Sequence, residues 1–173
     1  FYIRDNFLRS WLAALQTTTA AIHFRPVPDL VAEADTRLQT AEGHGLERLA
    51  ATLYQERSRK RVGDFGLTER VAGYWDKADR TSSQIEIDLV ALDEQSRIVR
   101  LGSCKRSPEK LVRDLCAFDG HIAGFLAAMP RFAGWTVEKV AIAPALSQEH
   151  RAAIGAAGYI PQDLDDLTTG LTP

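Results

Sequence analysis

Two acidic side chains sit on a strand-like run where a core would normally exclude them. In Ile85-Glu-Ile-Asp-Leu-Val-Ala-Leu92, Glu86 and Asp88 are two residues apart, and the run becomes apolar on both faces toward its end. Period-two alternation sends both carboxylates to one face. A second β-forming run, Arg97 to Lys105, follows the polar turn Asp93-Glu94-Gln95-Ser96, so the two runs pair as an antiparallel hairpin. With an even turn and Leu92 opposite Arg97, Glu86 falls opposite Ser103 and Asp88 opposite Leu101, and Ser103 and Lys105 share the carboxylate face. An ammonium beside two carboxylates in a cleft suits a divalent cation and an activated water. The same residues also suit a cross-strand ion pair at a sheet edge that does no chemistry.

Basic residues are the next candidates. Between Asp93 and Arg113 lie six Lys or Arg (Arg97, Arg100, Lys105, Arg106, Lys110 and Arg113) against three acids, and Arg57, Arg59, Lys60 and Arg61 form a second cluster. If both border the cleft of the 85–105 hairpin they can contact phosphates; otherwise they are solvated ends of helices and hairpin. His23, His44, His121 and His150 share no ligand spacing and read as surface or capping residues. His44 and Glu47 read as a helix-start pair. Cys104, beside Lys105 but on the opposite strand face, reads as a small buried apolar residue. Cys104 and Cys116 are the two cysteines and form neither a disulfide framework nor a CxxC metal signature, which suits reduced thiols in the cytoplasm. No GxxxxGK[ST] loop is present, so the chain carries no ATP site of its own.

The elements that must position these residues follow from periodicity. Asp5 can cap a helix with apolar Phe7, Leu8, Trp11, Leu12 and Leu15, ended by Thr17 to Thr19. Pro26 and Pro28 precede a second helix from Asp29 to about Leu38, and Gly43 and Gly45 mark a turn. A third helix is expected over 44–58, with Leu46, Leu49, Ala50, Leu53 and Tyr54 on one face and the basic cluster at its C-terminus. After Gly63 and Gly66 the period changes: Val71 to Trp75 is a short aromatic strand, followed by the hairpin. Ser107 before Pro108 caps a long helix to Met129, with Leu111, Leu115, Phe118, Ile122 and Phe125 facing inward. Trp135 to Ala143 is a fourth strand, Ser147 starts a helix ended by Gly155 or Gly158, and Asp163 to Asp166 forms a final helical turn. Trp75 and Trp135 are expected in the core.

At 173 residues, the chain suits one domain with an appendage, and 45% apolar with 25% charged residues suits a packed core. Twenty-one basic against 23 acidic residues give a net charge of −2, which excludes a global basic field, so any nucleic-acid contact must be local. No apolar run is long enough to span a bilayer. The expected architecture is α/β, an α-β-β-β-α-β core with a mixed central sheet flanked by helices and preceded by N-terminal helices.

Gln84-Ile-Glu-Ile-Asp-Leu-Val-Ala91 followed by Leu101-Gly-Ser-Cys-Lys105 resembles the PD-(D/E)xK nuclease superfamily, with Glu47 matching its additional acidic position on the preceding helix. Phe1-Tyr-Ile-Arg-Asp-Asn-Phe-Leu-Arg-Ser-Trp11, Gly45-Leu-Glu47 and Val71 through Asp76 further resemble the C-terminal nuclease-like domain of archaeal-type AAA+ ATPases. The resemblance covers the chain to about residue 115. It implies a restriction-endonuclease-like fold over 43–173, with 1–42 a helical segment leading from an upstream ATPase portion, and DNA as the substrate or partner. It also implies that Asp88 binds Mg²⁺ or Mn²⁺, that Glu47 binds or positions the ion through water, and that Lys105 orients the attacking water and stabilises the phosphorane charge. One departure matters: Ser103 stands where the family has Glu, and a neutral hydroxyl is a weak Mg²⁺ ligand. Glu86 is the carboxylate placed to substitute, which leaves two expectations, a working Mg²⁺-dependent deoxyribonuclease or a DNA-binding or regulatory module that has lost catalysis.

Overall fold

The computed structural model describes residues 8, 11–76 and 84–171. Asp5 and Phe7, and most of the Phe1–Trp11 stretch, lie outside the described residues. The chain divides into two compact units, Phe1–Leu46 and Glu47–Pro173.

In the first unit, Trp11–Leu15 winds with π spacing into α1 (Gln16–Ala20). The three threonines lie inside this helix instead of ending it. The Thr18 hydroxyl donates to the carbonyls of Ala14 at 3.1 Å and Leu15 at 3.0 Å, and that of Thr19 to Leu15 at 2.8 Å, so these side chains bond back along the helix without competing for the next turn. α2 (Val27–Lys60) corrects a second expectation, because one helix runs through Gly43 and Gly45 with no turn between. Neither glycine has positive φ, and each costs a helix interior only about 1 kcal/mol, which good helix formers on both sides offset. α2 ends in a Schellman turn: Val62 N–H donates to Arg57 O at 2.8 Å and Arg61 N–H to Ser58 O at 3.1 Å, with Arg61 left-handed at φ 55.

The second unit is built on a five-stranded mixed sheet in the order β1 (Ala72–Asp76), β2 (Ile85–Asp93), β3 (Ile98–Cys104), β4 (Thr136–Ile142), β5 (Ile160–Gln162). β1, β2 and β3 pair antiparallel; β3, β4 and β5 pair parallel, connected through α3 (Pro108–Ala128) and then α4 (Gln148–Ala156), with α5 (Leu164–Thr168) closing the chain. α/β with a mixed sheet flanked by helices is therefore correct. β5 is an added short strand, and its proline is tolerated because the strand is an edge. Ser107 caps α3 by accepting from Lys110 N–H at 3.1 Å, and Asp163 caps α5 with a reciprocal capping box.

α3 buries Leu111, Leu115, Phe118, Ile122 and Phe125 against Ile85, Ile87, Leu92, Val99 and Leu101 of the sheet. That Ile87 and Leu92, of opposite parity, share this core has a cause in the register. Ala72 pairs with Val90 and Tyr74 with Ile87, so β2 carries one extra residue between Ile87 and Val90, a bulge over Asp88 and Leu89. Tyr74 turns inward onto Phe125, ring centroids 4.9 Å apart. Alternation then sends Trp75 outward, 61% exposed, which corrects its expected place in the core. Trp135 is half-buried against the core.

On the opposite face of β3, Arg100 is buried beneath α2. Its guanidinium bonds Glu138 at 2.7 Å and lies 4.3 Å from the Phe65 ring centroid and 5.9 Å from that of Tyr54. Tyr54 donates to Gln162 Oε1 at 2.5 Å, and its phenol is pushed up to about 12, by burial above all. Gly102, between β2 and β4, is required by close approach. A Cβ there would sit 2.8 Å from Val140 Cγ2 and 3.1 Å from Leu89 Cβ. Gly102→Ala is expected to lower unfolding free energy by about 1–3 kcal/mol in urea titration, as overpacking does; an unchanged midpoint would show that the strands part without cost.

Candidate functional site

The hairpin register differs from the expected one by two residues. Leu92 faces Val99 and Asp93 faces Ile98, across a turn spanning Glu94 to Arg97 in which Arg97 is left-handed at φ 53. Val90, not Asp88, lies opposite Leu101, and the expected pairing of Glu86 with Ser103 fails with it. A two-residue slip preserves faces, so Ser103 and Lys105 keep their place beside Asp88.

Asp88 is the centre of the site. Its side chain is 3% exposed, and its Oδ2 accepts from Cys104 N–H at 2.7 Å, Lys105 Nζ at 3.2 Å and Ser103 Oγ at 3.4 Å. Asp88, Ser103 and Lys105 line a cleft of about 270 Å³ between the sheet and α3, together with Glu86, Lys110, Asp114, Ala117, Phe118 and His121. The bulge interrupts alternation between Ile87 and Val90, yet Glu86 and Asp88 still open into one cleft.

The charges are coupled. Burial alone would lower the Lys105 pKa, but Asp88, through charge and hydrogen bond, and then Glu86 and Glu47 outweigh it and hold the ammonium protonated above its ordinary range. Burial first, then the charges of Asp88 and Glu47, push the Cys104 thiol well up, so it is a buried spectator and not a nucleophile. Glu47, at the start of the second unit, thus belongs to the same electrostatic neighbourhood. His121, read from sequence as a surface residue, lines the cleft: its Nδ1 accepts Glu86 N–H at 3.1 Å, which leaves the neutral ring's proton on Nε2. His121 and Asp114 had a signal in the sequence, since Lys110, Asp114, Ala117 and His121 form one helical stripe.

The two basic clusters do not share this cleft. Of the expected phosphate contacts, Lys110 lines it, while Arg57, Arg59, Lys60 and Arg61 do not. Arg57 instead donates to the carbonyls of Asp166 at 2.9 Å, Thr169 at 2.9 Å and Leu167 at 3.3 Å, satisfying the end of α5. Lys60 donates to Leu171 O at 2.6 Å, and Arg59 pairs with Glu56. Arg113 bonds Asp114 at 3.1 Å on the exposed surface of α3, and Arg106 follows Lys105 into the turn before that helix.

The Asp88 carboxylate is already engaged, so Mg²⁺ would have to displace Lys105 to reach it. That ion takes six oxygens in near-octahedral array, whereas the buried carboxylate oxygen is met by an ammonium, an amide N–H and a hydroxyl. Among the described residues, no group of three or more His, Cys, Asp or Glu side chains is arranged to hold a metal ion. Among the same residues, no helix is long and apolar enough to cross a membrane.

Comparison of the chain with protein-family models, curated proteins and solved structures finds no match.

Proposed function

We propose that residues 47–173 form a restriction-endonuclease-like domain of the PD-(D/E)xK type that binds DNA and, with Ser103 in place of the second acid, does not cut it efficiently. The observation that carries this reading is the Asp88–Lys105 pair, 3.2 Å apart, with Asp88 within β2 and Lys105 just past the end of β3, in a cleft that Lys110 also lines. The element order α2, β1, β2, β3, α3, β4 supports the same reading. Lys105 and Lys110 offer two cations to a phosphodiester, and the Nε2–H of His121 and the Ser103 hydroxyl offer neutral donors. Glu86, Asp88 and Asp114 in the same cleft set a limit on how closely a phosphate approaches. An ATPase portion upstream is the partner this reading assigns to the domain.

The test is fluorescence anisotropy with labelled single-stranded, duplex and branched DNA in EDTA, alongside cleavage assays in Mg²⁺ and Mn²⁺. We expect binding without metal, weakened about tenfold or more by Lys105→Ala with Lys110→Ala, as lost charge-assisted phosphate contacts require, and no metal-stimulated cutting. Efficient cutting abolished by Asp88→Ala and Lys105→Ala would make the domain a working nuclease. Absence of binding to all three DNAs would remove nucleic acid from the reading.

A further inference from the structure

We propose that the Lys105 ammonium is the resident cation of the Asp88 cleft, filling the charge role of a divalent ion, so that the cleft keeps its form without metal and divalent ions gain a place there only when Lys105 is removed. The inference rests on the nuclease-like reading for its comparison with a metal site.

A carboxylate as buried as Asp88 needs a counter-charge or must give up its own. Here Lys105 Nζ supplies it at 3.2 Å, while Cys104 N–H at 2.7 Å and Ser103 Oγ at 3.4 Å orient their dipoles on the same oxygen. Lys105 is 31% exposed, so its stem follows the wall of the cleft while its head stays partly wetted. Glu86 and Glu47 add negative potential at the same ammonium. The cation therefore pairs with Asp88 and lies in the field of Glu86 and Glu47 from one tethered position, with no ion to be captured from solution.

Several features oppose a divalent ion at this place. It would have to displace or approach a protonated ammonium, and like charges in a partly desolvated cleft repel strongly. It would find the hydroxyl of Ser103 where a second carboxylate is needed.

Thermal unfolding of the full chain in EDTA, and then in millimolar Mg²⁺ or Mn²⁺, tests this directly. The wild-type midpoint is expected to move by less than about 1 °C, since a ligand that does not bind the folded state cannot stabilise it. Lys105→Met is expected to lower the midpoint by about 5 °C in EDTA and to recover with Mn²⁺, while Asp88→Asn combined with Lys105→Met recovers without metal. A saturable rise of more than about 3 °C in the wild-type midpoint, abolished by Asp88→Asn, would overturn the proposal. So would a Lys105→Met protein that is indifferent to Mn²⁺. If Lys105→Met fails to fold, the wild-type titration still decides. The anisotropy assay in EDTA separates the two readings: loss of DNA binding with a metal-insensitive midpoint sinks the function and leaves the resident cation, whereas metal stabilisation with intact DNA binding does the reverse.

Discussion

Arg100→Met is expected to lower the unfolding free energy by about 3 kcal/mol, one of the two largest effects of any single substitution considered for this chain. The guanidinium is 4% exposed, bonds Glu138 at 2.7 Å and stacks on Phe65 at 4.3 Å. Removing it leaves the Glu138 carboxylate, only 26% exposed, without its buried cation, and strips two aromatic faces of their contact. Lys in the same position restores the charge but neither the planar stack nor the fork, so Arg100→Lys should recover less than half of the loss. Urea unfolding of the three proteins measures this, and a midpoint for Arg100→Met equal to that of the parent would show the pair to be energetically neutral. Because Arg100 lies on the far face of β3 from Ser103, the folded variant should still bind DNA as the parent does.

Phe125→Ala belongs with it, at about 3–5 kcal/mol. Phe125 is 2% exposed, its ring edge-on to Tyr74 at 4.9 Å and stacked with Phe132 at 5.6 Å. The loss combines transfer of a full aromatic side chain, two ring contacts and a cavity at the end of α3 that the sheet beneath cannot collapse to fill. The variant is best followed by denaturant titration of the whole chain. A cost under about 1 kcal/mol would mean that α3 repacks freely, and so would not hold His121 and Lys110 at fixed positions over the cleft.

Much of this arrangement is legible in the residues themselves. The inward face of α3 and its Ser107 cap follow directly from spacing, because a long, strongly periodic helix with a proline in its first turn admits few alternatives. The hairpin strands are legible for the same reason, but their register is not. A four-residue turn with Arg97 left-handed shifts every partner by two, and nothing in Asp93-Glu94-Gln95-Ser96 announces a positive φ at a non-glycine residue. The site survives that error because side chains repeat every two residues. Gly43 and Gly45 mislead because glycine punctuates by propensity alone, a weak force beside a long helix. Trp75 misleads because aromatic residues on an edge strand give no sign of which of two neighbours turns inward. The engagement of Arg57 with the end of α5 is invisible to any local reading, since the partners lie 109 to 112 residues apart.

That last contact has a kinetic consequence. One guanidinium gathers three carbonyls from the final helix, across a loop of more than a hundred residues, so the clasp can close only after the sheet between has brought the two segments together. Interactions that form after the rate-limiting step do little to hasten folding and act instead on the way out. The clasp is thus expected to lengthen the time the domain stays shut once formed, and Arg57→Ala should speed unfolding more than it slows folding in stopped-flow measurement.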